Sequence, residues 1–120
     1  MAHKILVVDD EEDFLQGLII RLEHAGYVAT TARDGEEAFE CLNNEKPDLI
    51  ILDVKMPKMD GLEFIRKLRK DAKFKDSPVL FLTAGTFEIA EEILTLSTAQ
   101  DFLLKSVDNE QILERISKYL

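Results

Sequence analysis

Short apolar runs at residues 5–8, 49–52, 79–82 and 102–104 recur along this chain, each too short for a helix and separated from the next by segments with helical spacing. A continuous apolar run of this length marks a strand buried on both faces, as in a parallel sheet covered by helices on either side. The intervening segments set apolar residues three and four apart: Phe14, Leu18 and Leu22; Ala38 and Leu42; Leu62, Ile65 and Leu68; Ile89, Ile93 and Leu96; Ile112, Ile116 and Leu120. Each stripe can turn one face to a sheet. Residues 27–32 are more polar, with Thr30 and Thr31, and are expected to form an edge strand. Punctuation agrees with the alternation: Gly26 follows the first helix, Asp34-Gly35 precedes the second, and Pro47 and Pro78 stand before strands. Parallel neighbours need right-handed crossovers long enough to hold a helix, so five strands alternating with five helices predict an α/β, doubly wound fold, one domain over residues 1–120.

Composition narrows the functions such a fold can serve. The 120 residues are enough for a core without disulfides or structural metals. Fifteen basic against 24 acidic residues give a net charge of −9, which disfavours direct contact with nucleic acid or an anionic membrane surface. No apolar run approaches the roughly 20 residues of a bilayer span, and no signal peptide is recognised, so a cytoplasmic location without membrane insertion is expected. The lone Cys41 lies in Ala38-Phe39-Glu40-Cys41-Leu42, a turn of amphipathic helix, and is read as a packing residue.

In a doubly wound sheet, chemistry gathers beyond the carboxyl ends of the strands. Asp9 and Asp10 follow the first strand, Asp53 the third, Thr83 the fourth and Lys105 the fifth, so all five are expected to face one crevice. Taken alone, Asp9-Asp10-Glu11-Glu12 equally suits a helix N-terminus, where carboxylates satisfy free backbone N–H groups. That alternative is weaker for Asp53, because an ionised carboxylate ending a buried strand needs a partner. Three acids this close repel one another, and one lysine cannot neutralise them. A divalent cation is the simplest solution, and oxygen ligands without nearby His or Cys favour Mg2+, or Mn2+, over zinc. Mg2+ sites of this kind usually include phosphate oxygens, which points to phosphoryl chemistry. His3 and His24 fall outside the crevice.

Four segments carry a family resemblance: Ile5-Leu6-Val7-Val8-Asp9-Asp10-Glu11; Asp48-Leu49-Ile50-Ile51-Leu52-Asp53-Val54-Lys55-Met56-Pro57-Lys58-Met59-Asp60-Gly61; Leu82-Thr83-Ala84; and Asp101-Phe102-Leu103-Leu104-Lys105. In this order and spacing they resemble the receiver domain of two-component response regulators over essentially the whole chain. The resemblance implies the flavodoxin-like (CheY-like) strand order 2-1-3-4-5. It also implies a signalling phosphoacceptor rather than an enzyme, with self-phosphorylation and slow autodephosphorylation as its only turnover. Asp53 would take a phosphoryl group from the phosphohistidine of a sensor histidine kinase or histidine phosphotransfer protein. Asp10, Asp53 and the backbone carbonyl of Lys55 would bind Mg2+ directly, with Asp9 acting through a water. Lys105, the Thr83 hydroxyl and the backbone N–H of Ala84 would meet the phosphoryl oxygens. Thr83 and Phe102 would form the switch, altering the face made by the fourth helix, fifth strand and fifth helix for a downstream protein target or effector domain.

The chain departs from the family pattern at several points. Ser106 stands where a proline usually follows the lysine, so a trans Lys105–Ser106 peptide is expected. Phe102 lacks the hydroxyl of the tyrosine common there, so its switching should rest on packing. Ser97-Thr98-Ala99-Gln100 replaces a frequent glycine-alanine pair, and the turn before the fifth strand should differ. Lys55 and Gly85 flank the crevice and are expected to tune the lifetime of the phosphate. Two other functions suit the same acids: a Mg2+-dependent hydrolase of small phosphate compounds, and a pseudo-receiver that binds partners without phosphorylation. The first would ordinarily need a separate general acid and a specificity cap.

Overall fold

A computed structural model of the chain describes residues 2–56 and 58–120; Met1 and Pro57, the proline of the central motif, lie outside the described residues. Five parallel strands, β1 (Lys4–Val8), β2 (Val28–Ala32), β3 (Leu49–Asp53), β4 (Val79–Thr83) and β5 (Asp101–Leu104), form one sheet in the order β2-β1-β3-β4-β5. Between and after them run α1 (Glu12–His24), α2 (Gly35–Asn44), α3 (Gly61–Arg69), α4 (Phe87–Thr95) and α5 (Asn109–Ser117). This is the expected doubly wound fold, with the polar strand β2 at an edge. Apolar spacing does not anticipate one further element, a 3-10 turn at Ala72–Phe74 that buries Phe74. Among the described residues no helix is long and apolar enough to cross a membrane.

Strand alternation divides the core into two layers. Ile5, Val7, Leu49, Ile51, Leu80, Leu82 and Leu103 pack with Leu15, Leu18 and Leu22 of α1 and Ile112 and Ile116 of α5. Their neighbours Leu6, Val8, Ile50, Leu52, Val79 and Phe81 pack with Ala38 and Leu42 of α2 and Phe64, Ile65 and Leu68 of α3. Burying one such Leu or Ile side chain stabilises the fold by about 2 kcal/mol, so β1, β3 and β4 are held from both sides. Cys41 is half-buried, and burial, helped by Glu37 and Glu40, pushes its thiol pKa up, as suits a packing residue.

Helix α4 corrects one expectation. Its spacing predicts Ile89, Ile93 and Leu96 against the sheet; Ile93 does pack on the core, but Ala90 is the residue the helix buries, while Phe87, Ile89 and Leu96, just past its end, are exposed. The apolar arc of this helix, from Ile89 and Ile93 through Ala90 to Leu94 and Phe87, is wider than the face that meets the sheet, while Glu88, Glu91, Glu92 and Thr95 share the opposite side. The small Ala90 lets the backbone approach the sheet instead. Leu120 likewise lies beyond the end of α5, although it is partly buried there.

The turn before β5 is held by an arginine. Arg69, ending α3, donates from Nη1 to the carbonyls of Phe74 and Ser77, both at 2.7 Å, from Nε to Thr98 Oγ1 at 3.0 Å and from Nη2 to the Thr98 carbonyl at 3.1 Å. Gln100 Oε1 accepts from the Val79 N–H at 2.7 Å. Arg69→Ala leaves three carbonyls without this donor and is expected to cost about 2 kcal/mol, read as a lower urea midpoint at unchanged slope. No cis peptide occurs among the described residues, and Lys105–Ser106 is trans as expected.

Candidate functional site

Register and alternation assemble the site. Val8 pairs with Leu52, so Asp9 and Asp53 emerge side by side from β1 and β3; Thr83 pairs with Leu104, so Lys105 follows one step beyond. Asp9, Asp53 and Lys105 each stand two residues after a side chain of the α1/α5 layer, namely Val7, Ile51 and Leu103. All three therefore aim to the same side. Thr83 follows Phe81, and Phe102 pairs with Phe81, which puts both on the opposite face.

Asp9 is fully buried and Asp53 and Thr83 nearly so, whereas Asp10, Lys55 and Ala84 are exposed around the crevice. Carboxylate oxygens of Asp9, Asp10 and Asp53 lie within 4.8 Å of one another. Lys105 Nζ stands 2.8 Å from Asp9 Oδ2 and 3.4 Å from Asp53 Oδ2. Backbone N–H groups hold the acids in place: Glu11 donates to Asp9 Oδ1 at 3.0 Å and Lys55 to Asp53 Oδ1 at 3.3 Å. The Gly85 N–H donates to Thr83 Oγ1 at 3.0 Å, and the Lys105 N–H to the Thr83 carbonyl at 2.8 Å. The crevice they line, with Val54, Gly85, Ile89 and Ile93 among its walls, encloses about 430 Å3.

Charge is poorly balanced here. Burial, then the facing Asp9 carboxylate, push the Asp53 pKa up to about 6 against the pull of Lys105. Burial alone lowers the pKa of Lys105, but Asp9, Glu11 and Asp53 together outweigh it and raise the value, so the ammonium stays charged. Asp9 Oδ2 is buried, with the Lys105 ammonium 2.8 Å away as its charge partner and no second donor. An all-oxygen set with excess negative charge and an unused buried lone pair fits a hard divalent cation such as Mg2+.

Three residues were not singled out by sequence reasoning. Glu11 Oε1 accepts from Lys105 Nζ at 2.9 Å, and the Phe14 ring lies beneath the same ammonium, 4.8 Å to its centroid. Phe87 packs edge-on against Phe102, with ring centroids 5.5 Å apart. Glu11 follows the acid pair directly, but nothing in the one-dimensional pattern separates it from an ordinary cap. Phe14 stands within a stripe that core packing already explained, and Phe87 falls outside the stripe of its helix. The loop after β3 is fixed by Met59 seated against Gly35 and by Lys58, in the left-handed region at φ 68°, whose Nζ is 3.5 Å from Glu36 and 3.8 Å from Asp34. His3 lies instead by Tyr27 and Asp48, away from the crevice.

Known proteins share both the sequence and the shape. The transcriptional regulatory protein PhoP for alkaline phosphatase synthesis, from Bacillus subtilis, is 42% identical over 121 residues, covering 100% of this chain and 49% of that protein. The response regulator MprA of Mycobacterium ulcerans is 39% identical over 121 residues, covering 100% of this chain and 51% of that one. This chain thus spans about half the length of the curated relatives it matches. Among solved structures, the chemotaxis response regulator CheY4 of Vibrio cholerae superposes with a TM-score of 0.92 at 33% identity, each chain covered over 100% of its length. The response regulator TrrA of Thermotoga maritima, solved in complex with Mg2+-BeF, gives 0.87 at 36% identity, again with 100% of both chains covered. The profile of the response regulator receiver domain matches residues 5–117, and the chain belongs to that family.

Proposed function

We propose that Asp53 is the phosphoacceptor of this receiver domain, taking its phosphoryl group from the phosphohistidine of a sensor histidine kinase or a histidine phosphotransfer protein. The observation that carries this reading is the setting of Asp53: a nearly buried carboxylate facing Asp9 and Asp10, with the Lys105 ammonium 3.4 Å from its Oδ2. One carboxylate oxygen forms the new O–P bond while the donor's N–P bond breaks, and the leaving imidazole nitrogen takes up a proton. The phosphorus arrives activated, so the chain's task is to align the carboxylate and to offset charge on the equatorial oxygens. Lys105 offsets one charge, and the Thr83 hydroxyl and Ala84 N–H donate to the remaining oxygens. Asp10, Asp53 and the Lys55 carbonyl would hold Mg2+, with Asp9 reaching it through water. When bound, the ion supplies further positive charge at the phosphoryl oxygens. Mn2+ offers the same hard-oxygen preference.

A phosphate in this crevice must alter a surface to inform a partner. Drawing the Thr83 hydroxyl toward it breaks the bond to the Gly85 N–H and frees space on the face where Phe102 lies. Phe102 then leaves Phe87, changing the exposed apolar surface of α4 at Phe87, Ile89 and Leu96. A downstream protein or effector domain reads that face.

Incubation with acetyl phosphate and Mg2+, followed by intact mass, should show one phosphate added to the wild type, none after chelation and none in Asp53→Asn. Decay of that adduct reports autodephosphorylation, and Lys55→Ala and Gly85→Glu should change its rate. Wild-type protein that takes up no phosphate contradicts the proposal. Turnover of phosphate esters without an adduct would favour the hydrolase reading instead.

A further inference from the structure

Lys105 has more partners than its task requires. Its ammonium, largely shielded from water, meets Asp9 Oδ2 at 2.8 Å, Glu11 Oε1 at 2.9 Å and Asp53 Oδ2 at 3.4 Å, over the Phe14 ring. A phosphoryl oxygen needs a place in this shell, so one present partner has to leave. Asp9 is costly to release: it is fully buried, and without the ammonium its charge would be met only through the water that would link it to Mg2+. Asp53 cannot withdraw, because it carries the incoming group. Glu11 can, since 61% of its side chain is in contact with solvent and water replaces the ammonium at little cost.

The local backbone leaves the Glu11 side chain free for this contact. Glu11 is the N-cap of α1, but it makes no side-chain cap bond, whereas Asp34, Asp60, Thr86 and Asp108 each accept from a backbone N–H three residues on. Its own N–H is tied to Asp9 Oδ1 at 3.0 Å, so the acid that anchors Lys105 also fixes the root of the side chain competing for it. The Phe14 ring, one helical turn along α1, closes the side of the ammonium that faces the helix.

We propose that Glu11 is a positioning residue, a placeholder that holds the Lys105 ammonium at the crevice mouth and exchanges with the phosphoryl group for it. The proposal rests on the phosphoacceptor reading of Asp53. Loss of the Glu11 charge removes the competitor, so Glu11→Gln binds beryllofluoride with Mg2+ more tightly, by about two- to fivefold, the range spanned by one exposed ion pair. The gain acts through Lys105 and disappears in a Lys105→Ala background, which general charge repulsion or a structural role would not produce. In the metal-free protein the Lys105 side-chain ammonium resonance moves in Glu11→Gln, while Glu11→Asp, which keeps the charge one methylene further back, falls between.

The decisive measurement titrates beryllofluoride in the presence of Mg2+ into wild type, Glu11→Gln, Lys105→Ala and the double variant, with Asp53→Asn as the blank. A tighter Glu11→Gln whose advantage is absent without Lys105 supports the exchange. If wild type binds and Asp53→Asn does not, but Glu11→Gln matches wild type or keeps its advantage without Lys105, the placeholder role alone is overturned. Wild type that binds no better than Asp53→Asn overturns the phosphoacceptor reading and the placeholder with it.

Discussion

Gly61→Ala is expected to destabilise the domain by about 3 kcal/mol, the upper end of what overpacking costs, and to impair phosphate uptake at Asp53. An added Cβ would stand 2.7 Å from the Asp53 carbonyl oxygen, 3.0 Å from Val54 Cα and 3.1 Å from the Phe81 ring. Two of these are backbone atoms, which cannot rotate away. The Gly61 N–H also donates to the Val54 carbonyl at 2.8 Å, clamping the start of α3 to the residue after Asp53. Relief of the clash therefore moves Asp53 itself. Alanine's better helix propensity returns only about 1 kcal/mol. Gly17→Ala provides the control, since it lies within α1 with nothing within 4 Å of the new methyl, and should stabilise by about 1 kcal/mol. Urea unfolding of the pair checks both signs; a Gly61→Ala protein as stable as wild type would contradict the close approach of α3 to β3.

Asp53→Asn should have an effect of opposite sign and at most similar size. Without metal the Asp53 carboxyl titrates near pH 6 in the folded protein, against 3.8 as its ordinary value. The raised pKa means that the folded state holds this proton more tightly than the unfolded state. Asp53 thus favours folding fully below about pH 4, loses that contribution as pH rises to about 6, and is destabilising above. The gap sets an upper bound of about 3 kcal/mol at neutral pH, reduced by the solvent that reaches the crevice, and the uncharged asparagine recovers what remains. In chelator, Asp53→Asn should melt higher than wild type at neutral pH, with the difference closing as the pH falls toward 4. Saturating Mg2+ should narrow it too, because the ion stabilises the form whose carboxylates hold it. Equal melting in chelator across this range would show that the acceptor is not under electrostatic strain.

The strands were legible because four of them are continuous apolar runs, and a run buried on both faces leaves little alternative; their order came from the family resemblance alone. Asp9, Asp53, Thr83 and Lys105 were legible for the same reason, each being the polar residue that ends such a run. Helix α4 was legible only in part: its apolar arc is wider than the face that meets the sheet, so spacing picks out Ile93 but not the buried Ala90 between the exposed Phe87 and Ile89. The Arg69 staple was equally hidden, because its partners are mainly carbonyl oxygens of Phe74, Ser77 and Thr98, which every sequence possesses. Glu11 escaped notice because an acid at the start of a helix already has an ordinary explanation, and only its 2.9 Å contact with Lys105 across the fold shows where its carboxylate is engaged.

Alternation along the strands has a consequence for how such a protein can change over generations. Asp9, Asp53 and Lys105 lie on the parity of one layer, Thr83 and Phe102 on that of the other. On the proposed switch, substitutions that adapt the chain to a new recipient would fall among Phe87, Leu96 and Phe102, outside the crevice of the carboxylates, whereas Ile89 lines that crevice. The recipient can diverge while the chemistry stays fixed, and Thr83 is the hinge through which both inheritances must pass.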